Sequence, residues 1–263
     1  MMNPRNTVQQ YLCGYTSTQP TLNGRLDIGA WASAAWTADF IDIRGSGTGA
    51  PEPRFRTRAK LLWDNAFLYV GAELEEPHVW TNISEKNSVV YWQNDFEIFV
   101  DPDADGLNYY ELEVNALNTI WELTLDKPYN KGGTATHPTN IPGLVSTVHV
   151  NGTINDASDI DVGWNVQVAI PWEGLKKYNI KPPSRSTPPN IGDSWRINFS
   201  RVEWPFRIDE AGKYVRVPDE NRWDVHYEDN WVWSSQGEIN MHLPEKWGTV
   251  TFIGELDELK IQN

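Results

Sequence analysis

Along most of the chain apolar and polar residues alternate with a period of two. In "AFLYVGAEL", residues 66–74, Leu68, Val70, Ala72 and Leu74 share one phase, which predicts a strand buried on one face. "TRAKLLW" (57–63) sets Ala59 and Trp63 against Arg58 and Lys60, and residues 64–66 between these segments read as a turn. "DFEIFV" (95–100) places Phe96, Ile98 and Val100 inward and Asp95, Glu97 and Phe99 outward. "YYELEVNA" (109–116) sets Tyr110, Leu112, Val114 and Ala116 against Tyr109, Glu111, Glu113 and Asn115. The pattern continues at 119–125, 144–150, 164–170, 195–202 and 248–253. Helical patterning is confined to one short turn, "PWEGLKKY" at 171–178, opened by a proline. The expected fold is all-β, a two-sheet antiparallel β-sandwich of jelly-roll type with one short helical turn.

The 263 residues carry no sharp composition break, and sandwiches of this size fold as single units. Residues 20–253 are therefore expected to form one domain, with 1–19 as an extension and 254–263 as a tail. Segments 44–54 and 181–190 are rich in glycine or proline and read as exposed loops. "GSGTG" at 45–49 lacks the lysine of a phosphate cradle. The start, "MMNPRNTVQQYLCGY", has no basic segment leading into an apolar one. It does not read as a signal peptide, so the expectation is a cytoplasmic protein unless a leader precedes it. A lone cysteine, Cys13, allows no internal disulfide. The net charge of −14 argues against nucleic acid and against anionic membrane surfaces, since both recruit Lys and Arg.

Nucleophilic and zinc hydrolysis lack their signatures: there is no G-x-S-x-G, no H-E-x-x-H, and the histidines are scattered. Paired carboxylates remain. Glu97 on one strand with Glu111 or Glu113 on the next could form the acid pair of a glycoside hydrolase or lyase, or simply a solvated polar face. In "DPDADG", Asp101, Asp103 and Asp105 with Gly106 supply the first half of a calcium loop, but the twelfth position is Leu112 and the flanks alternate as strands. Two readings stand: a hairpin turn, or a hairpin turn holding a structural Ca2+. The 14 tryptophans divide by phase. Trp63, Trp121, Trp164 and Trp195 fall at core positions, whereas Trp92, Trp204, Trp231 and Trp233 fall at strand ends or in loops. The latter could pack under loops or offer faces to a pyranose ring.

Six segments, "TLNGRLDIGAW", "AKLLWDNAFLYVGAELEEP", "NDFEIFVDPDADGLNYYELEVNALNTIWEL", "GWNVQVAIPWEGL", "GDSWRINFSRVEW" and "NWVWSSQGEINMHLPEKWGTVTF", occur in the order seen in family 9 carbohydrate-binding modules, which the chain resembles over residues 20–253. The resemblance implies a β-sandwich that grips an oligo- or polysaccharide, often at its reducing end, between two tryptophans, with structural calcium and a glycoside hydrolase as partner. Trp92 and Trp233 match the clamp, with Tyr91 and Trp231 beside them, and Glu97 and Asn115 match residues that hydrogen-bond the sugar. Glu113 stands where the sugar-binding module has an arginine.

Overall fold

The computed structural model describes residues 7–178, 186–218 and 226–255. Every strand expected from alternation is present. In chain order the strands are β1 (Gln10–Tyr15), β2 (Ile41–Asp42), β3 (Thr57–Trp63), β4 (Phe67–Glu75), β5 (Asp95–Asp101), β6 (Tyr109–Asn115), β7 (Ile120–Leu125) and β8 (Ala135–Thr136). They continue with β9 (Val145–Asn151), β10 (Gly163–Pro171), β11 (Ser194–Glu203), β12 (Phe206–Ile208), β13 (Tyr214–Arg216), β14 (Asp229–Val232) and β15 (Gly248–Glu255). Besides the expected helical turn, α2 (Trp172–Leu175), a second one, α1 (Ala30–Ser33), carries Trp31 into a small cluster beside β4.

Hydrogen bonding runs in the order β8-β7-β6-β5-β11-β15-β1-β3-β4-β10-β9, with β14 and β2 attached beside β11. Val166, Val168 and Ile170 of β10 share one apolar cluster with Phe96, Ile98 and Val100 of β5, so the two halves of this order face each other as the layers of a β-sandwich. The join is parallel: β1 pairs in parallel with both β15 and β3, an exception to the antiparallel expectation. The expected extension at 1–19 therefore contributes a central strand, because Tyr11 and Cys13 belong to the core. Gly254 and Glu255 of the expected tail complete β15. Residues 1–6, 256–263 and the 181–185 part of the proline-rich loop lie outside the described residues.

Tryptophan sorting differs from the phase argument in an informative way. Trp63, Trp164 and Trp195 are core as expected, but so are Trp231 and Trp233. Trp233 is only 2% exposed. It meets Tyr11 edge-on at 6.4 Å and Phe199 at 5.8 Å, and a Cβ on Gly248 would lie 2.2 Å from its ring. Trp231 lies under Arg201, whose guanidinium carbon is 5.0 Å from the ring centroid. Arg201 in turn is buried between Glu76 at 2.6 Å and Glu203 at 2.8 Å, a charged cluster that holds the end of β11 against β4.

Truncating a buried indole costs roughly 3–5 kcal/mol. Trp233→Ala is therefore expected to lower unfolding stability by about that amount in urea denaturation. A change within about 0.5 kcal/mol, the size seen at surface positions, would show that the ring is not core.

Candidate functional site

Strands β5 and β6 are buried along their whole length on both faces. One face carries Phe96, Ile98, Val100, Tyr110, Leu112 and Val114 into the sandwich core. The opposite phase carries Phe99 and Tyr109, joined by Trp121, Leu123 and Leu125 of β7, into a second cluster covered by Ile43, Val232, Met241 and Trp247. A cleft of about 530 Å³ opens on that second face, within the range of small-ligand sites.

Four carboxylates line it, Glu228 at the rim and three on the strands beneath. Cross-strand register puts Glu97 opposite Glu113 and Phe99 opposite Glu111, and Glu97, Glu111 and Glu113 all line the cleft. Asp95, two residues before Glu97 in the same phase, is fully buried and stands against Asn115 in register. Burial pushes the Glu97 carboxyl up to about 7. Burial, reinforced by the neighbouring acids, holds Asp95 and Glu113 well above the ordinary carboxylate range, and Glu111 likewise.

Aromatic rings form the rest of the wall. Tyr91 comes from the one-turn 3₁₀ helix Val90–Trp92, anchored by buried Val90 just ahead of β5. Its ring lies 6.2 Å from Trp121 at an interplanar angle of 25°. Tyr129 comes from the turn Tyr129–Lys131, which follows Pro128, and its ring stands edge-on to His242 at 4.6 Å. Tyr129 is 48% exposed, so it can offer a face to a ligand. Burial pushes the His242 imidazole down to about 3, so it is neutral, and its Nδ1 is 3.0 Å from the Tyr109 hydroxyl.

The site residues expected from sequence separate. Glu97 and Tyr91 line the cleft. Trp92, next in chain, turns instead toward a different hollow with Trp80, Tyr214 and Arg216, where the Arg216 guanidinium lies 5.5 Å from its ring. Trp233 and Trp231 are corrections: both rings are buried and neither lines the cleft, Trp233 reaching instead a separate hollow beside Phe40 and Phe55. Trp204, 2% exposed, is buried too, its indole nitrogen donating to the Tyr91 carbonyl at 2.7 Å. Asn115 is corrected for a different reason: its amide donates to Thr81 Oγ1 and the Ile83 carbonyl, and its oxygen accepts from the backbone of Leu117 and Thr119. That fixes the β6–β7 turn and leaves little for a ligand. Tyr129, His242 and the cleft-facing role of Trp121 were missed. The signal for Trp121 was its phase, shared with Leu123 and Leu125.

"DPDADG" closes the β5–β6 hairpin. Asp101 is fully buried, accepts from the Gly106 amide at 2.9 Å, and leaves Oδ1 without a hydrogen-bond partner. Asp101, Asp103 and Asp105 each bring one oxygen within 4.8 Å of the others. This arrangement fits a hard cation. Burial pushes Asp101 up to about 7 as well.

The chain matches the family described as carbohydrate family 9 binding domain-like over residues 22–255 and belongs to that family. A family 9 carbohydrate-binding module from Caldicellulosiruptor kristjanssonii, in complex with cellotriose, aligns with a TM-score of 0.55 at 19% identity, covering 94% of this chain and 95% of that one. Its complex with glucose aligns at 0.54 and 18%, covering 94% and 97%. These likenesses bear out the sandwich fold. An endo-1,4-beta-xylanase A from Thermoanaerobacterium saccharolyticum is 27% identical over 209 residues, 78% of this chain and 14% of that protein. An endo-1,4-beta-xylanase C from Paenibacillus barcinonensis is 33% identical over 92 residues, 35% of this chain and 8% of that protein. The chain thus corresponds to a small part of such enzymes.

Carboxyls whose folded pKa is raised hold protons that the unfolded chain has already released. For Glu97 and Asp101 the window runs from the ordinary values of 4.5 and 3.8 up to about 7. Stability without metal is fully present below that window and is lost as pH rises through it. Thermal unfolding in chelator is therefore expected to give a lower midpoint at pH 8 than at pH 5. A higher midpoint at pH 8 would contradict dry carboxylates.

Proposed function

We propose that this chain binds a saccharide without cleaving it, in the cleft over β5, β6 and β7. The carrying observation is the meeting of the Tyr91, Trp121 and Tyr129 rings with Glu97, Glu111 and Glu113 on one concave wall. Sugar rings present apolar C–H faces with hydroxyls at the rim, so aromatic faces bind by stacking and carboxyl oxygens accept from hydroxyls. In this reading Tyr91 and Tyr129 do the gripping expected of the tryptophan pair. Recognition of a reducing end, which the resemblance implies, is its finer form. A calcium ion on Asp101, Asp103 and Asp105 would brace the hairpin beside the site. The xylanase relatives suggest that such a module acts beside a glycoside hydrolase, holding it to its polymer.

A hydrolase reading draws on Glu97, whose carboxyl near 7 suits a general acid. Glycosidases need their two carboxyls pushed apart, one protonated and one ionised. Here burial pushes Glu97, Glu111 and Glu113 the same way, which favours binding. Release of reducing sugar that disappears in Glu97→Gln would reverse that judgement.

Calorimetric titration with a panel of cello- and xylo-oligosaccharides, native and with the terminal aldehyde reduced, tests the proposal. Binding is expected, with loss on reduction if ends are recognised. Tyr91→Ala is expected to weaken it about tenfold, the worth of one stacked face, and Trp92→Ala to change it little. No binding to any of these sugars would sink the reading.

A further inference from the structure

Asp95, Glu97 and Glu113 each bring one oxygen within 4.8 Å of the others. Two metal–oxygen bonds of about 2.4 Å span that distance, so these oxygens can share one calcium-sized ion. All three are at least nine-tenths buried. Neither oxygen of Asp95 has a hydrogen-bond partner, nor does Glu113 Oε2. Among the described residues no ion pair reaches them. Arg201, on the adjacent β11, pairs with Glu76 and Glu203 instead. Buried carboxylates left unpaired are costly, and a hard cation removes that cost.

We propose that the floor of the cleft is a divalent-cation site, in which Asp95, Glu97 and Glu113 hold a calcium-class ion whose remaining positions open toward the saccharide. Glu97 and Glu113 line the cleft whereas Asp95 does not, so Asp95 caps the ion from beneath and the open side faces the ligand. Calcium takes 6–8 oxygens; three carboxylates leave room for sugar hydroxyls. The ion thus supplies the positive charge that an arginine at position 113 would bring, and adds direct coordination. Bridging to a sugar rests on the reading that the saccharide binds here; the ion site does not.

The test uses the full chain, stripped with chelator and titrated with CaCl2 by calorimetry and with TbCl3 by luminescence excited through the cleft aromatics Tyr91 and Trp121. Asp95→Asn and Glu113→Gln are each expected to weaken one binding step by about tenfold or more, while Asp101→Asn leaves that step in place. Glu113→Gln keeps shape and hydrogen-bonding capacity, so it serves if Asp95→Asn does not fold. Unchanged calcium binding in Glu113→Gln, or binding abolished entirely by Asp101→Asn, overturns the site. Saccharide titrations with calcium and with chelator then separate the claims. Affinity about tenfold or more higher with calcium supports the bridge; equal affinity overturns it and leaves the saccharide reading intact. A Glu113-dependent calcium step with no sugar bound supports the ion site and removes the saccharide reading. Glucosamine oligomers bound equally tightly in calcium and in chelator, with no Glu113-dependent calcium step, overturn the ion and assign the acidic floor to an ammonium group.

Discussion

The constraint on which the rest of the molecule depends is that β5 and β6 are buried on both faces. A strand pair covered on one side by a sandwich core and open on the other would carry its acidic phase in water at little cost. Here Ile43, Val232, Met241 and Trp247 lie over that phase, and Asp95, Glu97, Glu111 and Glu113 are enclosed. Desolvation penalises each charge and proximity penalises them jointly. The cleft is thereby primed for something that relieves that penalty, whether proton, metal or hydroxyl donor.

The same layer over the sheet explains the aromatic arrangement. Tyr91 enters from the turn before β5, Trp121 from the start of β7 and Tyr129 from the turn after it. The scaffold beneath is cross-linked: Asn115 makes two hydrogen bonds to the 81–83 segment and two within the β6–β7 turn, and Gln93 ties itself to Thr81 and Asn82. Rigid placement of rings reduces the entropy lost on binding. Asn115, which resembles a ligand contact by sequence position, serves here as part of the frame beneath the cleft.

Strand positions were legible in the sequence because a period of two is a local property. The places of Glu97 and Tyr91 on the cleft wall were legible because one lies in an unmistakable strand and the other just ahead of it. What sequence could not convey was which outward faces stay wet. Phase correctly put Glu97 and Glu113 on the face away from the main core, but only tertiary packing buries that face. Trp231 and Trp233 failed for the same reason. Their segment reads as a loop, yet β14 pairs with β11 and β2 and places Trp231, and the Trp233 amide just beyond it donates to the Phe199 carbonyl. β1 was hidden because a six-residue strand gains its place through parallel pairing with β15, a partner far away in the chain.

The most direct measurement is a two-dimensional 1H–15N spectrum of the tryptophan indoles during titration with a bound oligosaccharide. Trp121 Nε1 is buried at the cleft without a hydrogen-bond partner, so its signal should move strongly on binding while those of Trp231 and Trp233 stay in place. Movement of the Trp233 signal with Trp121 unaffected would put the sugar elsewhere and contradict the account.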